Sequence, residues 1–115
     1  FKSVATIEKD LGKYVPVGVF QITIECEKAL DIYEDHPKLY DKKELDIILD
    51  GIQVTAMTYV MVAKYGIAPP SRKYFNVISE GYKNCGLNSD FLLEAEEYSI
   101  KADTGKGYES TRWKQ

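Results

Sequence analysis

One histidine, three pairs of neighbouring carboxylates, a glycine-bracketed loop, nine tyrosines and two cysteines are what this 115-residue chain offers to chemistry. His36 stands directly before Pro37 and reads as a loop residue. A loop histidine is more often solvated than catalytic, and no Ser-His-Asp set can be assembled around it. With one His and the distant Cys26 and Cys85, a His/Cys metal cluster is excluded. The carboxylate pairs Glu25/Glu27, Glu34/Asp35 and Glu96/Glu97 lack the Glu-x-x-His spacing of a di-metal bundle and read as outer-face charges. Asp103-Thr104-Gly105-Lys106-Gly107 is rich in glycine but lacks the phosphate-loop spacing, so it reads as a helix-ending turn. The tyrosines, Tyr59, Tyr74 and Tyr98 among them, read first as packing residues and second as platforms for stacked bases. No catalytic residue, no metal and no cofactor is expected.

The elements expected to position these residues are helical throughout. Lys2 to Lys13 reads as a helix with Val4, Ile7 and Leu11 at helical spacing. Val19 to Asp35 reads as a second, with Val19, Ile22, Cys26, Ala29, Leu30 and Tyr33 on one face, stopped at His36-Pro37. Val17–Ile24 is β-branched enough for a strand, but its apolar period runs on into the helix. The third helix is read from an Asp41 cap with Glu44 completing a capping box. Its stripe is Leu45, Ile48, Leu49, Ile52, Ala56, Tyr59, Val60 and Ala63, closed by Gly66 and Pro69-Pro70. Ser71 caps a fourth helix that ends at Gly86, and Ser89 caps a fifth with Asp90 in its first turn. Ser110 to Gln115 begins a last one. The expected fold is therefore all-α: one domain, residues 1–115, an antiparallel up-and-down bundle of four or five helices.

Composition sets outer bounds. At 44% hydrophobic and 29% charged, the chain is of ordinary globular make-up and long enough for its own core. No apolar run reaches the length of a membrane span. Two thiols far apart read as reduced, in a cytoplasmic protein. A net charge of −3 argues against DNA binding. The charge is uneven: residues 1–50 carry 7 basic and 11 acidic side chains, residues 51–115 carry 8 and 7. The basic side chains Lys101, Lys106, Arg112 and Lys114 gather toward the C-terminus.

From Ile48 to Glu109 the order of features resembles HEPN domains, small prokaryotic helical bundles found beside nucleotidyltransferases. A long apolar helix ends in Val62-Ala63-Lys64-Tyr65-Gly66-Ile67, followed by Ala68-Pro69-Pro70-Ser71-Arg72-Lys73. Gly81-Tyr82-Lys83-Asn84-Cys85-Gly86-Leu87 comes next, and then Lys101-Ala102-Asp103-Thr104-Gly105-Lys106-Gly107-Tyr108-Glu109. The resemblance implies a homodimer that pairs with a nucleotidyltransferase, often as a toxin–antitoxin couple, and that binds nucleotide or RNA. Some members are ribonucleases with an Arg followed four to six residues later by His. Here no arginine precedes His36, Ser99 stands where that arginine is expected, and Ser71-Arg72 replaces the family's Thr-His. The resemblance thus implies a non-catalytic binding module, with Lys101, Asp103 and Tyr108, and secondarily Arg72 and Lys73, as ligand-binding residues. A residual ribonuclease and a ligand-free helical adaptor are the alternatives.

Overall fold

The computed structural model describes residues 4–62 and 65–108. Its elements are α1 (Ile24–Tyr33), β1 (Tyr40–Leu49), β2 (Ile52–Met61), α2 (Arg72–Asn84) and α3 (Asp90–Lys101). The chain is α+β, and the expected all-α bundle is overturned. It divides into two compact units. Of the described residues, one holds α1 and the hairpin, residues 19–62 with Thr6–Glu8; the other holds α2 and α3, residues 65–108 with residues 4–5 and Lys9–Gly18.

The largest correction concerns the segment read as the longest helix. Residues 40–61 form an antiparallel hairpin in which Tyr40 faces Met61 and Leu49 faces Ile52. Asp50 and Gly51 make its two-residue turn, with φ of 51° and 78°. A turn with both central residues at positive φ twists in the same sense as its strands, and Asp-Gly is among the few pairs that enter it readily. Along β2, Ile52, Val54, Ala56, Thr58 and Val60 alternate with Gln53, Thr55, Met57, Tyr59 and Met61. This two-residue period with β-branched members packs well on a pleated face.

The period also sorts the two faces of the hairpin. One carries Leu45, Ile47 and Leu49 opposite Ala56, Val54 and Ile52. The other carries Lys42, Glu44 and Asp46 opposite Tyr59, Met57 and Thr55. Leu39 and Tyr40, at the base of β1, are the buried apolar residues of this unit.

α1 begins at Ile24, five residues later than the expected helix, where the Thr23 hydroxyl accepts from the Cys26 N–H. The described part of the expected first helix, from Val4, is not helical; a turn stands at Leu11-Gly12.

The two helices of the second unit follow the sequence reading. Ser71, 3% exposed, caps α2 by accepting from the Tyr74 N–H at 3.1 Å. Phe75, one turn in, is buried beneath the Arg72 guanidinium, which lies 4.4 Å from the ring centroid. Gly86 follows α2 at φ 67°, the left-handed conformation that closes helices. Ser89 is the N-cap residue of α3 but makes no side-chain cap; Asp90 instead supplies the negative charge of the first turn. Gly66, read as a helix end, follows no described helix. Its N–H donates to the Lys106 carbonyl at 3.0 Å, which ties the segment before α2 to the segment after α3. The expected helix from Ser110 to Gln115 lies outside the described residues.

Candidate functional site

α1 is built inside out. The sequence reading gave it an inward face of Cys26, Ala29, Leu30 and Tyr33, yet all of these but Leu30 are exposed. The shielded positions of the helix and its cap are Glu27, Leu30, Asp31 and Glu34. Glu27, Asp31 and Glu34 are spaced by four and three residues, so they form one carboxylate stripe. These carboxylates are partly shielded, Glu27 at 41% and Asp31 at 28% side-chain exposure, and they share that face with Leu30 while Ile24 and Ile32 are exposed.

The pairing comes from the polar face of the hairpin. Lys42 Nζ donates to Glu27 Oε2 at 2.7 Å and to the Asp31 carboxylate at 2.9 Å. Tyr59, the cross-strand partner of Lys42, donates its hydroxyl to Asp31 Oδ1 at 2.5 Å. His36 borders the group, its ring edge-on to Tyr59 with centroids 6.3 Å apart and its Nε2 3.6 Å from Asp41 Oδ1. The histidine read as a solvated loop residue therefore sits half-buried at the margin of the cluster.

The electrostatics follow from these contacts. The Tyr59 hydroxyl, and after it the Lys42 ammonium, holds the Asp31 carboxyl below the usual carboxylate range. Hydrogen bonds to Glu27 and then Asp31 raise the Lys42 ammonium above the usual lysine range. Partial burial, then the bond to Asp31, pushes the Tyr59 phenol up to about 12.

These shifts predict the acid and alkaline limbs of stability. The Asp31 contribution is present above the ordinary carboxylate pKa of about 4 and is lost as pH falls below it. The Tyr59 contribution is present below the ordinary phenol pKa of about 10 and is lost as pH rises from there toward about 12. Denaturant unfolding across pH should therefore show a Tyr59→Phe variant losing less stability than the wild type between about pH 10 and 12. Equal losses in the two proteins over that window would remove Tyr59 from the account.

Glu34 ends the stripe. It is the C-cap residue of α1, at φ −84° and ψ 0°, much as the C-cap residues of α2 and α3 lie at φ −92° and −98°. Asp35 follows at φ 52°, unusual outside glycine, and the His36–Pro37 peptide is cis. A carboxylate at a helix C-terminus faces the negative end of the helix dipole, where a negative charge is least favoured. The pair Glu34/Asp35, read as outer-face charges, is thus half-buried at Glu34 and unusual in backbone conformation at Asp35. The missed signal was spacing, because Glu27, Asp31 and Glu34 share a face whereas Glu34 and Asp35 do not.

The residues expected to bind a ligand lie in the other unit. Lys101 is exposed on α3 and pairs with Glu97 at 2.7 Å, one turn earlier. Asp103 Oδ1 accepts from the Gly105 N–H at 2.9 Å and so shapes its own turn. Tyr108 is half-buried, edge-on to Tyr65 at 5.1 Å between centroids. Arg72 pairs with Glu96 of α3, and Lys73 lies exposed beside it on the first turn of α2. Cys26 and Cys85 are exposed free thiols. Among the described residues no helix is long and apolar enough to cross a membrane. Among them, too, no group of three His, Cys, Asp or Glu side chains is placed to hold a metal ion.

Fold and site together define a class: an α+β protein that mounts a carboxylate stripe on a helix and anchors it to the polar face of a hairpin. Residues 14–94, more than two thirds of the chain, match the AIG2-like family, and the chain belongs to that family. The match takes in α1, the hairpin, α2 and the first turn of α3. The resemblance to HEPN domains is overturned by this match and by the hairpin, and the binding module, nucleotidyltransferase pairing and toxin–antitoxin role drawn from it fall with it. The residual ribonuclease and the helical adaptor fall for the same reason. No curated protein and no solved structure matches the chain.

Proposed function

We propose that the protein cyclises γ-glutamyl compounds, releasing an amine and 5-oxoproline, with Glu34 as the group that moves the proton. AIG2-like proteins are associated with γ-glutamylcyclotransferase-like activity. The observation that carries the reading is the half-buried stripe of Glu27, Asp31 and Glu34 on α1.

The chemistry asks for such a carboxylate. The substrate's own α-nitrogen attacks its side-chain carbonyl carbon, forming one C–N bond as the bond to the leaving amine breaks. The α-nitrogen arrives as an ammonium and gives up two protons in becoming the lactam N–H, one before attack and one as the new bond forms, and the departing nitrogen takes up two in leaving as an ammonium. A single carboxylate can pass one proton from the attacking to the departing nitrogen, and the other exchanges through water, so the reaction balances without a co-reactant. Asp31 is held in its charged form by Tyr59 and Lys42, which suits an anchor. Glu34 lies three residues after Asp31 on the same face, at the C-cap of α1.

The test is direct. Purified protein incubated with γ-glutamyl-L-alanine should release alanine and 5-oxoproline in equal amounts, read by chromatography. Absence of both products, or glutamate in place of 5-oxoproline, would overturn the reading.

A further inference from the structure

Resting on the assignment of Glu34, we propose that Lys42 is a positioning residue: its ammonium, gripped by Glu27 and Asp31, fixes the last turn of α1 against the hairpin and thereby places the Glu34 carboxylate. Lys42 touches Glu27 and Asp31, not Glu34, so its effect passes through the helix.

The geometry makes this a two-point hold. Glu27 and Asp31 lie one turn apart on α1, and both reach the same Nζ, at 2.7 and 2.9 Å. One contact would let a helix pivot about it, whereas two along the axis fix both slide and rotation. Tyr59 adds a third point from the neighbouring strand, bonded to the same Asp31 at 2.5 Å. Asp31 is thus tied to β1 through Lys42 and to β2 through Tyr59. Glu34 follows Asp31 by three residues, less than one turn of a rigid helix, so a shift at Asp31 is passed on almost undiminished.

Charge makes the lysine more than a convenience. Without its ammonium Glu27 and Asp31 would stand as like charges one turn apart, an arrangement that loosens a helix from its support. The two acids share Lys42, which is itself only about a quarter exposed. A displacement of about 1 Å at a reacting group costs about 100-fold in rate. The hold at Lys42 therefore reports in turnover rather than in substrate affinity.

The experiment compares Lys42→Met, which keeps the aliphatic stem and deletes the charge, with Lys42→Arg, which keeps the charge. In the γ-glutamyl-L-alanine assay, Lys42→Met should lower kcat about 10- to 100-fold with KM within about 3-fold, and Lys42→Arg should recover most of the loss. Amide hydrogen exchange gives a second readout, independent of activity. In Lys42→Met the peptide spanning residues 27–36 should exchange at least about 10-fold faster while α2 and α3 keep their protection. Normal exchange in that peptide overturns the proposal, as does faster exchange spread equally over α2 and α3. A fall in kcat without loosening of α1 also overturns it, because Lys42 then acts directly; so does loosening without a fall in kcat in an active enzyme. Glu34→Gln separates the two claims. If that variant stays active while Lys42→Met loosens α1, the hold stands and the assignment of the base fails. If it is inactive while Lys42→Met behaves as wild type, the assignment stands and the hold fails.

Discussion

Glu34→Gln is expected to abolish 5-oxoproline release, with kcat lowered about 1,000-fold and KM nearly unchanged. Glutamine matches glutamate in size and still accepts a hydrogen bond, so the variant deletes little besides the ability to carry a proton. A stability measurement sharpens the expectation: the melting temperature should move little beside the loss of turnover, because the variant keeps the size and hydrogen-bonding shape of the side chain. Asp31→Asn should behave differently, losing stability along with turnover, because its single neutral acceptor oxygen cannot serve both Lys42 and Tyr59. Glu25→Gln, exposed on the same helix, serves as the control for charge alone. If Glu34→Gln retains wild-type turnover while Asp31→Asn keeps its fold and loses activity, the base is Asp31 and the assignment made here is wrong.

The helices of the second unit could be read from the sequence because their signals are local. Ser71 before α2, Gly86 after it and Asp90 opening α3 each act within one turn of chain, and each does so in the structure. The hairpin could not be read in that way. Leu45, Ile48, Leu49 and Ile52 fall at helical intervals, but only Leu45, Leu49 and Ile52 share a face of the sheet; Ile48 points to the other. The deciding signal was the pair Asp50-Gly51, two residues in the middle of an apparently continuous stripe. The candidate site was obscured for a related reason. An amphipathic pattern is ordinarily read with its apolar side inward, and α1 reverses that rule because its sheltered face is held by Lys42 and Tyr59. Those partners lie 11 and 28 residues away from Asp31, on strands the helical reading had removed. The motif resemblance failed at the same place. Lysine–glycine steps, paired prolines and a Gly-rich turn punctuate helices in many folds, so they carried the wrong family while marking genuine helix ends.

Gly66→Ala is expected to be among the most damaging single-methyl additions in the second unit, lowering stability by about 2–3 kcal/mol and the melting temperature by about 10 °C. A Cβ at Gly66 would overlap Thr104 Oγ1 and lie 3.1 Å from Thr104 Cβ and 3.3 Å from Cγ2. Thr104 has little freedom to retreat. Its N–H and hydroxyl both donate to the Ile67 carbonyl, at 2.8 and 3.0 Å, and its hydroxyl accepts from the Lys106 N–H at 3.2 Å. The glycine is also fixed, through its N–H to the Lys106 carbonyl. Glycine is therefore required here for close approach of two chain segments, not for a helix end or a positive φ. A double-mutant cycle tests that cause. Thr104→Gly alone should cost about 1 kcal/mol or somewhat more, for the lost hydroxyl bonds and the added chain freedom. With Thr104→Gly in place, Gly66→Ala should become nearly harmless, leaving a coupling of at least about 1.5 kcal/mol between the two sites. Additive losses would mean that the overlap is relieved by backbone movement elsewhere, and the closure between residues 65–67 and 104–108 would then owe its stability to the Tyr65–Tyr108 ring contact instead.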